Sequence, residues 1–296
     1  MKLDRIVAAI DFSPASVRAA QWAAERFGDA ELVLAHVVDL PDVPSFLEAD
    51  LQDQDEALQD TRADATARLD ALAADLPRRP RTIVDVGPAP KRLAKIARDV
   101  AADLIVVGDH GPASGFWDAL GTTAERLLHE AHVPVLVTRN PGLDEPSMVL
   151  APIDASSEAD AVLAWAGLLA GLFHAELAVL HTVDAALTGR VRLVSASGTA
   201  RAFEDKLRRS TEGWLHDRVR AAGLPRDRTL CLVAIGDPRG EVLAATERVK
   251  PDVIVMGSRG RGGLGSALLG SVARSILRQA RCPVLVLPHR AGRPGA

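Results

Sequence analysis

The 296-residue chain is long enough for two domains of ordinary size, and its make-up, 48% hydrophobic and 25% charged, is that of a globular protein. A formal net charge of −4 at pH 7 argues against nucleic acid as a general partner, and no apolar run reaches the roughly eighteen residues that cross a bilayer. With two cysteines, no tyrosine and no aromatic residue beyond Trp214, a disulfide framework is disfavoured and base-stacking platforms are missing from the C-terminal part.

The start, MKLDRIVAAIDFSPAS, has a charged strand-like segment but no uninterrupted apolar region or small-residue cleavage site, so we read no signal peptide. A strand is expected over Ile6–Ile10, and a helix opens at Ser13-Pro14, a capping residue followed by proline at the first helical position. Further β-branched runs, Leu32–Val38, Thr82–Val86, Leu104–Val107 and Val135–Thr138, alternate with helical stretches. The longest of these, from about Phe46 to Leu76, sets Leu47, Leu51, Leu58, Ala65, Leu69, Leu72 and Leu76 on one face. Its acidic start (Glu48, Asp50, Asp53, Asp55, Glu56, Asp60) reads as a solvated face favoured near N-terminal turns. A connector rich in proline, glycine and charge, RNPGLDEPS, separates a first domain, 1–142, from a second, 146–290. There the long helix uses Phe203, Leu207, Leu215, Val219 and Ala222, preceded by an irregular AALTGRVRLVSASGT loop. Cys231 and Cys282 sit in apolar contexts and read as buried free thiols of a reducing cytoplasm.

The second domain repeats the first. RIVAAIDFSPAS has its counterpart in SMVLAPIDASSEA, matching Asp11 with Asp154, and ELVLAHVVD matches ELAVLHTVD, matching His36 with His181. From Gly87/Gly236 through Gly108/Gly257 and Gly121/Gly270 to Pro134/Pro283 the offset stays at 149 residues, which means duplication. Strands alternating with helices imply that each half is an α/β unit around a five-stranded parallel sheet covered on both faces. Ligands then bind beyond the carboxyl ends of the strands.

One stretch there stands out. Met256 to Ser271, MGSRGRGGLGSALLGS, packs six glycines into sixteen residues between a strand and a helix, a placement that turns backbone N–H groups and a helix N-terminus towards an anion. Gly265-x4-Gly270-Ser271 approaches a P-loop but lacks its lysine. Gly260-x-Gly262-x-x-Gly265 spells the dinucleotide fingerprint, yet no acid follows it to grip a ribose. Gly257-x2-Gly260-x9-Gly270-Ser271 fits fully, and the first half repeats it as Gly108-x2-Gly111-x9-Gly121-Thr122. Seven arginines and no acid lie from Val253 to the end, so the local potential favours an anion, and Arg259 and Arg261 can add charge near a phosphate. Two plainer readings stand beside this one: glycines after a strand also close tight turns, and Asp154 could cap its helix through an Asx turn.

With that spacing, the closing aspartate of strand one, the His-Val/Thr pair closing strand two, and VGPAP and IGDPRG after strand three, the chain resembles a tandem universal stress protein of the ATP-binding branch. The resemblance implies two tandem Rossmann-like, flavodoxin-like domains. It implies that Gly257, Gly260, Gly270 and Ser271 hold phosphates, with Arg259 and the N–H groups of Val272 and Ala273 nearby. Met256 would lie along the nucleotide, Asp154 on the adenosine side, the Thr182 backbone at the adenine edge, and Pro152 beside them. Carried to the first half, the set is Ala9, Asp11, Val37, Val107, Gly108, Gly111, Gly121, Thr122 and Thr123. The implied ligands are ATP and Mg2+ riding on its phosphates, without protein side chains assigned to the metal. The implied assembly is an intramolecular pseudo-dimer with strand five of each half near the joint, open to further homodimerisation.

The first half departs from this pattern. Arg259 becomes His110, Arg261 becomes Pro112, Gly262-Gly263 becomes Ala113-Ser114, and Asp109, Phe116, Trp117 and Asp118 enter, with no Lys or Arg from Gly108 to Ala124. Thr122-x-x-Glu125 also spells a capping box, through which that helix would satisfy its own N-terminus. We expect a weaker first site. His36, His110 and His181 form no base-nucleophile set and read as structural, so no catalytic residue is assigned. The leading expectation is a cytoplasmic stress protein using ATP as a ligand or switch, without nucleic-acid or membrane partners. The alternatives are slow ATP hydrolysis or phosphotransfer, and a nucleotide-free scaffold.

Overall fold

A computed structural model describes residues 2–39, 55–109, 121–139, 144–184, 197–260 and 269–288. The chain divides into two compact units, Met1–Pro141 and Gly142–Pro294. In unit 1, β1 (Arg5–Ile10), α1 (Pro14–Arg26), β2 (Glu31–Val38), α2 (Asp55–Asp75), β3 (Arg81–Val86), α3 (Ala89–Asp99), β4 (Leu104–Gly108), α4 (Thr122–Glu130) and β5 (Val135–Thr138) follow in order. Unit 2 repeats them as β6 (Met148–Ile153), α5 (Ala159–Leu172), β7 (Glu176–Asp184), α6 (Ser197–Ala221), a 3-10 turn (Arg226–Arg228), β8 (Thr229–Gly236), α7 (Pro238–Val249), β9 (Val253–Gly257), α8 (Ser271–Gln279) and β10 (Val284–Leu287).

Each unit has a parallel five-stranded sheet, in order β3-β2-β1-β4-β5 and β8-β7-β6-β9-β10. Parallel strands need crossover helices, and right-handed crossovers set helices on opposite faces when the chain reverses direction. In unit 1 the strands step outwards from β1 to β3, then return across β1 to β4. The reversal leaves a crevice between the ends of β1 and β4, and unit 2 repeats it between β6 and β9. Burial on both faces explains why LIVVG and VIVMG are apolar throughout, with Leu104 to Val107 and Val253 to Met256 all buried. One face of the first sheet packs Ala8, Ile10 and Leu34 against Ala20 of α1, Leu69 and Ala73 of α2, and Leu76 just past its end.

Strands begin a residue earlier than their apolar runs predict, at Arg5, Glu31 and Arg81, because pairing continues into charged residues. Arg5 and Glu31 are register partners and also form an ion pair at 2.7 Å. A duplicated carboxylate ties the sheet's lower edge. Asp103 accepts from the Asp4 and Arg5 amides at 2.7 and 2.9 Å, and Asp252 from the Ser147 and Met148 amides at 2.7 and 3.0 Å.

Several expectations need correction. Residues 40–54, which include Leu47, Leu51 and three of the six acids at the start of the long helix, lie outside the described residues; from Asp55 onwards α2 runs as expected and buries Ala65 and Leu69, with Leu76 buried just past its end. Of the loop foreseen before the second long helix, residues 185–196 lie outside the described residues and its last three, from Ser197, are helical; Phe203 stands 39% exposed while Leu215 and Val219 make the buried face. The capping box at Thr122 does not form. Gly121 is the extended N-cap because its N–H is drawn onto the Asp109 carbonyl at 2.8 Å, so Thr122 is the first helical residue. Ser13 does cap α1, accepting from the Ser16 amide at 3.2 Å.

Candidate functional site

The site in unit 2 is built by three glycines and a returning chain. After Gly257 ends β9, the Ser258 amide donates to the Leu287 carbonyl and the Ser258 carbonyl accepts from the Gly270 amide, both at 2.8 Å. The loop is thereby pinched at its neck, and the last signature glycine is delivered to the start of α8. A Cβ on Gly270 would stand 3.2 Å from the Ser258 oxygen and 3.4 Å from the Arg259 Cα. A Cβ on Gly260 would stand 3.1 Å from Asp154 Oδ2, so the second signature glycine lies directly against the carboxylate closing β6. Residues 261–268, including Arg261 and Gly265, lie outside the described residues.

Helix α8 has Gly270 at its N-cap and, among the described residues, no side-chain cap, and its first internal bond runs from the Arg274 amide to the Gly270 carbonyl. Early amides of an α-helix lack intrahelical partners, and the helix dipole adds positive potential there. Ser271 is exposed at the first helical position, Val272 is half-buried and Ala273 buried. Arg259 is half-buried, and Met256 is buried in β9. The groups brought together are therefore an uncapped helix N-terminus, a glycine cradle and a carboxylate from the neighbouring central strand.

Asp154 forms the Asx turn that the sequence allows. Its Oδ1 accepts from the Ser156 amide at 3.0 Å, an Asx turn leading towards α5, while Oδ2 faces Gly260. The residue before it, Ile153, is the register partner of His181, which places Thr182 one step beyond, alongside Asp154; Pro152 pairs with Leu180 lower in the sheet. His181 Nδ1 lies 2.9 Å from the Ile153 carbonyl, and His36 Nδ1 lies 2.7 Å from the Ile10 carbonyl. A carbonyl only accepts, so Nδ1 carries the proton in both, and each histidine staples the first two strands of its unit. The Thr182 hydroxyl oxygen is shut from solvent without a hydrogen-bond partner among the described residues.

Unit 1 keeps the same neck: the Asp109 amide donates to the Thr138 carbonyl at 3.1 Å, and the Gly121 amide to the Asp109 carbonyl at 2.8 Å. Asp11 forms the matching Asx turn, accepting from the Ser13 amide at 2.9 Å. Ala9, Val37 and Val107 are buried strand residues, Thr122 is exposed and Thr123 half-buried at the start of α4, and Gly111 lies outside the described residues. The filling differs. Where unit 2 has Ser258 and Pro288, unit 1 has Asp109 and Arg139, a largely buried ion pair at 2.9 Å. A Cβ on Gly108 would meet the α1 backbone, Ala15 C and Ser16 N, at 2.9 Å, so α1 presses closely on the end of β4. Phe12 adopts the left-handed region (φ 61°), its ring 4.6 Å from His36 and 4.0 Å beneath the Arg68 guanidinium. In unit 2, Trp214 of α6 takes this place against His181 at 4.7 Å, with Arg218 at 5.6 Å. These stacks escaped sequence reading because Phe12 and Trp214 occupy unrelated positions in the repeat.

The profile of the universal stress protein family matches residues 2–139 and 147–288. The chain belongs to the universal stress protein family. A universal stress protein of Mycobacterium tuberculosis is 30% identical over 300 residues, covering 95% of each chain. Another, from Thermus aquaticus, is 40% identical over 90 residues, 29% of this chain and 63% of that protein. The crystal structure of a universal stress protein from Archaeoglobus fulgidus superposes with a TM-score of 0.64 at 22% identity, over 98% of this chain and all of that one, which shows the shared α/β fold. As in a tandem member of the universal stress protein family, the domain occurs twice here, and the glycine neck recurs in both copies. Among the described residues no helix is long and apolar enough to cross a membrane, and no three of His, Cys, Asp or Glu gather as a metal site.

Proposed function

We propose that this universal stress protein binds ATP in unit 2, with Mg2+ carried on the nucleotide, and uses it as a ligand or switch. The observation that carries the reading is the contact of Gly260 with Asp154 beside the uncapped N-terminus of α8. That arrangement fits the group. Glycine backbone and helix amides suit a polyphosphate, since no side chain competes for them. Asp154 and the backbone of Thr182 offer an acceptor and a strand end for the nucleoside. Magnesium prefers oxygen ligands and takes them readily from phosphates and water, so it needs no cage of protein carboxylates.

Turnover is a poorer match. The loop has no P-loop lysine, and His181 is engaged by a backbone carbonyl. In unit 1 the Asp109 carboxylate sits at the neck, so we propose that this copy takes ATP more weakly. Heat-denaturing freshly purified protein and chromatographing the supernatant tests the reading. Adenine nucleotide is expected from the wild type and not from Gly270→Val. An empty supernatant, together with no thermal shift on adding ATP–Mg2+, overturns the proposal and leaves a nucleotide-free scaffold.

A further inference from the structure

At the opposite end of the second sheet, a cavity of about 370 Å3 opens between α6 and the start of β8, lined by His216, Val219, Arg226, Thr229 and Cys231. Its size lies within the range of small-molecule sites. Val219 is buried, while His216 and Arg226 are exposed at the rim. The Thr229 hydroxyl oxygen is closed from solvent and has no hydrogen-bond partner among the described residues, an arrangement that costs stability unless something supplies one.

The equivalent position of the first half is filled differently. Aligning the buried leucines of the long helices, Leu69 with Leu215, sets Asp70 opposite His216, and the offset of 149 along the third strands sets Thr82 opposite Cys231. In unit 1 the Thr82 hydroxyl donates to Asp70 Oδ1 at 2.6 Å and ties helix to strand. Unit 2 has replaced both partners. Its connection from helix to strand is also longer, seven residues (222–228) against five (76–80), and the 3-10 turn in it brings Arg226 to the cavity. The unit 1 position is bridged through a carboxylate, whereas none of the five lining residues in unit 2 is acidic.

We propose that this cavity is a second binding site, for a small carboxylate with an apolar body. Arg226 pairs with the carboxylate, His216 and the Thr229 hydroxyl donate hydrogen bonds after rotamer adjustment, and Val219 with the Cys231 thiol forms the apolar wall. Guanidinium is suited to carboxylate through its forked donors, and a neutral thiol behaves as a small hydrophobe. The Cys231 thiol is raised by burial, partly offset by Arg226, which keeps it neutral near pH 7. This site is independent of nucleotide binding.

Cys231 reports on its own pocket. The chain has two cysteines, and the other, Cys282, has a thiol pushed up to about 12, so slow alkylation by N-ethylmaleimide goes to Cys231 and is read by intact mass. Millimolar hexanoate should slow that alkylation saturably in the full chain, while hexanol and hexylammonium at equal concentration leave it unchanged. Arg226→Gln, on the exposed rim, should raise the hexanoate concentration needed by roughly three- to tenfold. The paired substitution His216→Asp/Cys231→Thr, which restores the residues of unit 1, should fold and lose the thermal shift given by hexanoate. Absence of protection by hexanoate, or equal protection by hexanol, overturns the proposal.

Discussion

Gly270 lies against the Ser258 carbonyl, where a Cβ would stand at 3.2 Å and force that oxygen to give by a few tenths of an ångström, with the Arg259 Cα in contact at 3.4 Å. Gly270→Val therefore opens the neck of the loop and misdirects the first amides of α8. We expect it to weaken ATP–Mg2+ binding by tenfold or more, about 1.4 kcal/mol, as measured by calorimetric titration. Asp252 acts at the other end of the same strand. It receives two backbone amides and the Ser147 hydroxyl, so Asp252→Ala should cost about 1–3 kcal/mol in urea denaturation while leaving nucleotide affinity unchanged. Burial pushes the nearby Cys282 thiol up to about 12, and the Asp252 carboxylate adds to the rise. A thiol kept protonated in the fold but able to ionise near its ordinary value of 9.0 once unfolded makes stability fall as pH rises from there towards 12. Urea midpoints taken between pH 8 and pH 11 should fall more steeply for the wild type than for Cys282→Ala, by up to roughly 1.4 kcal/mol per pH unit.

Helix starts show where local chemistry governs an element and where its surroundings do. Ser13 caps α1 with its own side chain, as Ser-Pro foretells, and Ser13→Ala should cost about 1 kcal/mol in chemical denaturation. Thr122→Ala should cost less than about 0.5 kcal/mol, because Gly121 holds the cap position through the Asp109 carbonyl. The Thr122-x-x-Glu125 pattern misled because a hydrogen bond from a distant strand end moved the helix start by one residue. Strand positions were legible because buried parallel strands demand unbroken apolar runs such as LIVVG. Phe203 was misplaced for the converse reason: helical periodicity marks a face, but not how far along the helix that face is covered, and Phe203 stands 39% exposed while Leu215 and Val219 are buried.

Across the molecule, duplication made the fold and most of the candidate site readable. A spacing of glycines that survives at a constant offset is expected to sit in the same place twice, and the neck bonds of Gly121 and Gly270 show that its last glycine does. What one repeat could not show was the filling of each copy. The Asp109–Arg139 pair, the left-handed Phe12 and the open cavity beside Cys231 all arise from residues that differ between the halves and meet through tertiary structure. The measurement closest to the central claim is a titration of nucleotide-stripped full chain with ATP–Mg2+, run on the wild type, Gly270→Val and Gly121→Val. Saturable binding is expected, weakened at least tenfold by Gly270→Val and largely spared by Gly121→Val. Wild-type protein that takes up no nucleotide, or binding lost through Gly121→Val and kept in Gly270→Val, would contradict it.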